Sequence, residues 1–158
     1  MKYSAQEEYG LRCLLQVARV GLEGSISIPE IARNEALTPT HVAKLLMILR
    51  KDGYINSTRG QAGGYALARQ PNEIVVGEVL ASLGGKLYDD EFCNKHATAN
   101  PICTQAVDCA IRSLWQLVQT TVDSVLNELT LADLMKTKEP VSNVQLYDLP
   151  RRTQPILN

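Results

Sequence analysis

Three of the four cysteines of this 158-residue chain lie in one short segment, "CNKHATANPICTQAVDC". Cys93, Cys103 and Cys109 are therefore the residues whose type and spacing point most directly to chemistry. Neighbouring thiols can form a disulfide, take part in redox reactions, or bind zinc or an iron–sulfur cluster. The segment has no Cys-x-x-Cys pair, the usual spacing of a structural zinc ribbon, so the iron–sulfur cluster is the favoured metal site.

The cellular compartment predicted from the sequence argues against a disulfide among the clustered cysteines. The first residues, "MKYSAQEEYG", include acids and no apolar run, which is unlike a signal peptide. No stretch is long and apolar enough to span a membrane. We therefore expect a cytoplasmic protein with no membrane partner, in which disulfides are uncommon. The fourth cysteine, Cys13, stands at helical spacing from Tyr9 and Val17 and is expected to be a small buried residue.

The elements before the cysteines follow the order of a winged helix-turn-helix. Apolar residues at period 3.6 predict a first helix from Gln6 to about Val20, and "SIPEIARNEAL" predicts a short second helix. A third helix follows, with Thr38 as N-cap, Pro39 at its first position and Gly53 after its end. Its buried stripe is expected to be Val42, Leu45, Leu46 and Leu49. Two short strands with a glycine-rich turn, "YINSTRGQAGGYALAR", then predict a hairpin wing.

The charge distribution suggests DNA as the partner of this unit. The net charge is −1, but the segment from Thr38 to Gln70 contains five basic side chains and only one acidic side chain, Asp52. In a helix-turn-helix the second helix enters the major groove, and an arginine on a thin hairpin tip suits a narrow minor groove. A three-helix bundle without DNA binding has the same apolar pattern. The predicted DNA-binding residues are Thr38, Thr40, His41, Lys44, Lys51, Arg59 and Gln61.

A long helix after the cysteines indicates a second copy of the chain. It is predicted from about Thr104 to Leu129 and is too long for a small winged domain to cover. Its apolar residues are spaced as in a coiled coil, which predicts a homodimer. These residues are Val107, Ile111, Leu114, Val118, Val122, Val125 and Leu129.

The same residues resemble a known family. "EEYGLRCLLQVA", "LTPTHVAKLLMILRKDGYINSTRGQAGGYALAR", the clustered cysteines and "LTLADLM" are together similar to the Rrf2 family of winged-helix iron–sulfur transcription regulators. The resemblance implies a homodimer whose long helix crosses its partner, and a double-stranded, pseudo-palindromic DNA operator. It also implies a cluster held by Cys93, Cys103 and Cys109, whose state sets the affinity for DNA. Family members space these cysteines more evenly, whereas here nine residues separate the first pair and five the second.

The fourth cluster ligand has several candidates. One branch of the family uses a histidine three residues after the third cysteine, but this chain has Arg112 there. Another branch uses a carboxylate from the partner subunit, and Glu8 stands at the matching position. The alternative for Glu8 is an exposed salt bridge with Arg12. His96, inside the cysteine segment, is the third candidate. Neither cluster type, 2Fe–2S or 4Fe–4S, is selected by the sequence.

The resulting prediction is a mainly α-helical protein with a small β-hairpin wing. We expect a winged helix-turn-helix domain over 1–86, a cluster-binding loop over 87–103, a dimerisation helix and short helix over 104–136, and a mobile tail over 137–158. The expected function is a transcription regulator, not an enzyme, whose cluster senses redox state, nitric oxide or iron and cluster supply. The alternatives are a cluster-free thiol-based regulator, or a thiol redox or electron-transfer protein that does not bind DNA.

Overall fold

The computed structural model describes residues 4–58, 63–86 and 110–136. The N-terminal half contains α1 (Ala5–Arg19), α2 (Ile28–Glu35) and α3 (Pro39–Lys51), followed by β1 (Ile55–Thr58) and β2 (Gly64–Leu67). A single 3₁₀ turn, Pro71–Glu73, leads into α4 (Val76–Gly84). The later elements are α5 (Ala110–Asn127) and α6 (Leu131–Lys136). The mainly helical winged architecture predicted from the sequence is thus confirmed.

Side-chain caps fix where the first helices begin. The Glu7 amide donates to Ser4 Oγ at 3.3 Å, and the Glu7 carboxylate accepts from the Ser4 amide at 2.7 Å, which is a reciprocal capping box at the start of α1. Ser27 and Glu30 form the equivalent pair at the start of α2. Both caps provide acceptors for amides that have no partner within the helix, so the helix starts follow from local sequence.

The turn between α2 and α3 depends on a left-handed residue. Ala36 has φ 54°, ψ 40°, and the Leu37 amide donates to the Ala32 carbonyl at 2.9 Å. Thr38 then caps α3, because its Oγ1 accepts from the His41 amide at 3.3 Å. This is the tight connection that holds the second helix of a helix-turn-helix at an angle to the first. The turn therefore orients α3 relative to the rest of the domain.

The hairpin is joined to the helices by a third piece of extended chain. β1 and β2 pair antiparallel, with Ile55 opposite Leu67 and Thr58 opposite Gly64. Ile26, just before α2, forms a bridge to Tyr65 with N–H···O distances of 3.0 and 2.9 Å in the two directions. The second strand of the wing is thereby hydrogen-bonded to the segment that starts the helix-turn-helix.

The chain returns to this domain after the long helix. The Val76 amide donates to the Leu129 carbonyl, and the Leu131 amide donates to the Ile74 carbonyl, both at 2.9 Å. Leu131 is 0% exposed and belongs to the core formed by α1, α3, α4 and the hairpin. The short helix α6 thus completes the winged-domain core, while the domain boundaries given above stay a prediction. No helix in the described ranges is long and apolar enough to cross a membrane.

Candidate nucleic-acid interface

Helix α3 has one buried face and one exposed polar face. Val42, Leu45, Leu46 and Leu49 are at most 1% exposed and pack into the core, as the sequence predicted. Thr40, Lys44, Met47 and Lys51 lie on the opposite face and are exposed. Because α1 and α4 pack against the buried face, the polar face points away from the domain. A helix held in this way can present its outer side chains to a DNA groove.

The residues at the start of α3 differ in how they are held. Thr38 is exposed but uses its hydroxyl oxygen to cap the helix. His41 is half-buried, and its ring meets Tyr9 of α1 edge-on at a centroid distance of 5.7 Å. Thr40 and Lys44 are exposed, and no hydrogen bond or ion pair joins either side chain to another described residue. Thr40 and Lys44 are therefore more available to a ligand than Thr38 and His41.

Basic side chains continue along the last turn of α3 and into the hairpin. Lys51 and Arg50 are exposed in the last turn of α3, and the first turn of the helix contains no acidic residue. Arg69, beyond β2, has its guanidinium carbon 5.1 Å from the centre of the Tyr54 ring. Arg59 and Gln61, the predicted wing contacts, lie outside the described residues, although the strands on either side are described. Among the described residues, Lys44, Arg50 and Lys51 therefore give the exposed side of α3 a positive charge.

Glu8 is the candidate cluster ligand that the structure describes, and it is exposed on α1. Arg12 does not form an ion pair with it: its Nε lies 2.7 Å from Glu35 Oε2. The hydrogen bond and charge of Glu35 raise the pKa of Arg12, with a smaller contribution from Glu8. Arg12 therefore pairs with Glu35, and the salt bridge between Glu8 and Arg12, the alternative role of Glu8, is not formed. Its carboxylate accepts no hydrogen bond from another described side chain, which leaves its oxygens available.

The other predicted ligands, Cys93, Cys103, Cys109 and His96, lie outside the described residues. Within the described ranges, no three His, Cys, Asp or Glu side chains are grouped closely enough to hold a metal ion. A cluster site would thus depend on the three cysteines. Three thiolates with one exposed carboxylate form a donor set that suits iron in an iron–sulfur cluster.

Cys13 lies in the core, as predicted. It is 0% exposed, and burial, with a smaller contribution from the Glu35 charge, raises the pKa of its thiol to about 12. A thiol with so high a pKa is almost wholly protonated at neutral pH and is a poor nucleophile and metal ligand. Cys13 is therefore structural.

A polar network between α1 and α2 was not predicted. Glu35 accepts from both Arg12 and Gln16, and Gln16 in turn accepts from Asn34 Nδ2 at 3.1 Å. Gln16 is 9% exposed, so these bonds satisfy a buried amide. Arg12 also lies over the Tyr9 ring, 5.7 Å from its centre. The network fixes α2 on α1 just before the turn into α3.

Helix α5 exposes an apolar face. Ile111, Leu114, Trp115 and Leu117 are 48–59% exposed, and no residue of the described helix is buried. Towards its C-terminal end the helix packs on α4, where Leu126 and Asn127 approach Gly77. The predicted apolar seam is thus covered in part by α4, and its residues Ile111 and Leu114 are exposed, while Val107 and the predicted start of the helix at Thr104 lie outside the described residues. Exposed apolar side chains in such a group indicate an interaction surface.

Comparison with known proteins identifies the family. A family model named Rrf2 and described as an iron-dependent transcriptional regulator matches residues 3–137. The chain belongs to the Rrf2 family. Protein rrf2 of Nitratidesulfovibrio vulgaris is 38% identical over 136 residues, which cover 86% of this chain and 88% of that protein.

Solved structures of Rrf2-family proteins have the same fold. T. potens IscR superposes with a TM-score of 0.70 at 31% identity, covering 92% of this chain and 93% of its own. The oxidized form of Staphylococcus aureus CymR superposes with a TM-score of 0.68 at 28% identity, covering 88% and 99%. The chain is therefore a winged-helix transcription regulator of the Rrf2 family and not an enzyme.

Proposed function

We propose that this chain is a homodimeric regulator that binds operator DNA through α3 and the wing, with an affinity controlled by an iron–sulfur cluster. The observation that carries the proposal is the exposed polar face of α3, held outward by a fully buried opposite face. Lys44 and Lys51 on that face offer positive charge to phosphates, and Thr40 offers a hydroxyl to base edges. Arg59 and Gln61 extend the proposed contacts to the wing.

The proposed cluster ligands are Cys93, Cys103, Cys109 and the partner subunit's Glu8. When bound, the cluster would supply a centre that responds to redox state, nitric oxide or iron supply. A carboxylate oxygen is a harder ligand than a thiolate and holds iron less firmly, which would make one corner of the cluster labile. Glu8 lies on α1, and α1 packs directly against α3. Binding or release of this carboxylate would therefore bias the position of the helix that contacts DNA.

Dimer formation is proposed through the exposed apolar face of α5. Burial of Ile111, Leu114 and Trp115 against the same residues of a second copy would remove them from water. A symmetric dimer presents two α3 helices and therefore favours a pseudo-palindromic operator, with half-sites about 34–36 Å apart. Such a regulator acts on DNA in the cytoplasm.

Anaerobic purification followed by absorption spectroscopy tests the cluster. We expect a brown protein that contains iron and sulfide, and a Glu8→Ala variant that stays dimeric but has an altered spectrum or loses its cluster faster in air. Glu23→Ala, which removes another exposed carboxylate, is the matched control and should behave as the parent protein.

Each negative result removes a different part of the proposal. A protein that stays colourless after reconstitution with iron and sulfide would reject the cluster. A brown Glu8→Ala protein with unchanged spectrum and lifetime would reject Glu8 and make His96→Ala the next variant. Unchanged operator affinity in Arg59→Ala, with the cluster retained, would reject the wing as a DNA contact.

A cluster-free, thiol-based regulator is the second candidate, favoured by the likeness to the oxidized form of CymR. In that case the colourless protein would change its operator affinity on treatment with peroxide and recover it with dithiothreitol. The electron-transfer alternative has no support from a family of transcription regulators. An electron-transfer protein would retain the cluster but would select no DNA sequence.

A further inference from the structure

Met47 is an apolar side chain at the centre of the exposed polar face of α3. It is 59% exposed, whereas the other exposed large apolar residues outside α5 in the described ranges are 37–39% exposed. The core contacts of α3 come from the opposite face, so Met47 does not stabilise the core. Because Met47 is so exposed on the proposed DNA-facing surface, it is a candidate for direct contact with a ligand.

The position of Met47 relative to its neighbours is defined by helical geometry. Thr40, Lys44, Met47 and Lys51 are spaced four, three and four residues apart. At about 100° per residue they fall within about 60° of one another around the helix axis. Lys44 and Lys51 therefore lie about one turn before and after Met47 on the same face. A surface that attracts phosphate through the lysines would bring Met47 to the groove between the strands.

The chemistry of the major groove limits what a methionine can recognise there. Its thioether is a weak acceptor and has no proton to donate, so it does not replace the bidentate contacts of arginine or asparagine. The apolar group that the major groove offers is the C5-methyl of thymine. The flexible, polarisable methionine side chain adapts well to such a small apolar partner.

We propose that Met47 determines operator specificity by packing against the C5-methyl of one thymine in each half-site. The inference rests on the proposed DNA-binding function and adds a base-specifying residue to it. Met47 lies seven residues after Thr40, about 10 Å along the helix axis. At 3.4 Å per base pair the thymine would lie within about three base pairs of the base that Thr40 contacts.

The test begins by selecting the operator from random double-stranded DNA with the full-length parent protein. Each thymine in the half-site is then replaced by uracil, which removes the C5-methyl and preserves pairing. Dissociation constants are measured at one fixed salt concentration for the parent protein, Met47→Ala, and Met135→Ala. Met135 is an exposed methionine on α6, away from α3, and is the matched control.

We expect uracil in one half-site to weaken binding by the parent protein roughly fourfold, and uracil in both half-sites to weaken it about fifteenfold. Met47→Ala removes the contact in both half-sites, so it should weaken binding to the thymine operator by about fifteenfold and should be insensitive to the uracil substitutions. Met135→Ala should behave as the parent protein. Because Met47 is exposed, all three proteins should unfold at the same temperature.

Two outcomes would overturn the inference, and they are distinguishable. If the parent protein selects an operator but Met47→Ala keeps the same affinity and the same pattern of uracil effects, Met47 has no role in specificity, and DNA binding itself stands. If the parent protein selects no sequence from the random pool, the proposed DNA-binding function fails and the inference fails with it.

Discussion

Cys13 shows how the surroundings of a side chain decide its chemistry. Cys13 repeats at helical spacing with Tyr9 and Val17, and this pattern correctly predicted a buried residue. Its surroundings hold the thiol in the neutral form, so it is unsuited to bind metal. The other three cysteines are clustered in one short segment of a chain expected to be cytoplasmic, which is why ligation rather than packing was predicted for them.

The raised pKa of Cys13 makes stability depend on pH in a defined window. Its value of about 12 in the folded protein exceeds the ordinary 9.0, so the folded state holds the proton more tightly than the unfolded state. The stabilising contribution is complete below about pH 9 and is lost as the pH rises towards 12. We expect the free energy of unfolding in urea to fall more steeply between about pH 9 and 11 for the parent protein than for Cys13→Ala. Parallel pH curves for the two proteins would contradict the assignment.

Local sequence rules account well for the elements themselves. The first helix was predicted from Gln6 to about Val20 and runs from Ala5 to Arg19. The cap at Thr38, the proline start and the buried stripe of α3 all lie where the pattern placed them. Thr40, Lys44 and Lys51 are accordingly on the exposed face. Capping and periodicity act within one or two turns of helix, so they can be recognised in a sequence without knowledge of the fold.

Contacts between distant segments could not be predicted in this way. Periodicity indicates which face of an element is apolar, but not which partner will cover it. The bridge from Ile26 to Tyr65 and the entry of Leu131 into the core therefore had no signal in the sequence. The pairing of Arg12 with Glu35 rather than Glu8 likewise depends on how α2 packs on α1. The left-handed Ala36 was missed because glycine or asparagine is more usual in that conformation.

Substitution of Gly64 tests how the wing is attached to the segment before α2. A Cβ at this position would lie 2.5 Å from the Ile26 carbonyl oxygen, a backbone atom that cannot move without disturbing the bridge to Tyr65. We expect Gly64→Ala to lower the free energy of unfolding by about 1–3 kcal/mol and to weaken operator binding. Ser57→Ala, an exposed change on the paired strand, should leave both unchanged in urea titrations and binding assays. Equal stability of the two variants would show that the wing does not need this close approach.

At the scale of the whole molecule, one chain supplies only half of the proposed binding surface. The net charge of −1 gives little general attraction to DNA, so in the proposed complex affinity would depend on placing the basic side chains of α3 against the phosphates. In the proposed complex, a single α3 would cover one half-site. Joining two copies makes the second contact intramolecular, which raises the affinity for a two-part operator without any new contact.

Substitutions on the exposed face of α5 test whether operator binding depends on dimer formation. Ile111, Leu114 and Trp115 share one side of the helix, and Thr120 lies on the opposite side. We expect Leu114→Glu to convert the dimer to monomers in sedimentation equilibrium, because an unpaired carboxylate would be buried in the interface. Operator affinity should then fall by tenfold or more, while Thr120→Glu, which adds the same charge to the opposite side, should leave mass and affinity unchanged. A Leu114→Glu protein that remains dimeric would place the interface elsewhere, and a monomer with full operator affinity would show that DNA binding does not need two copies.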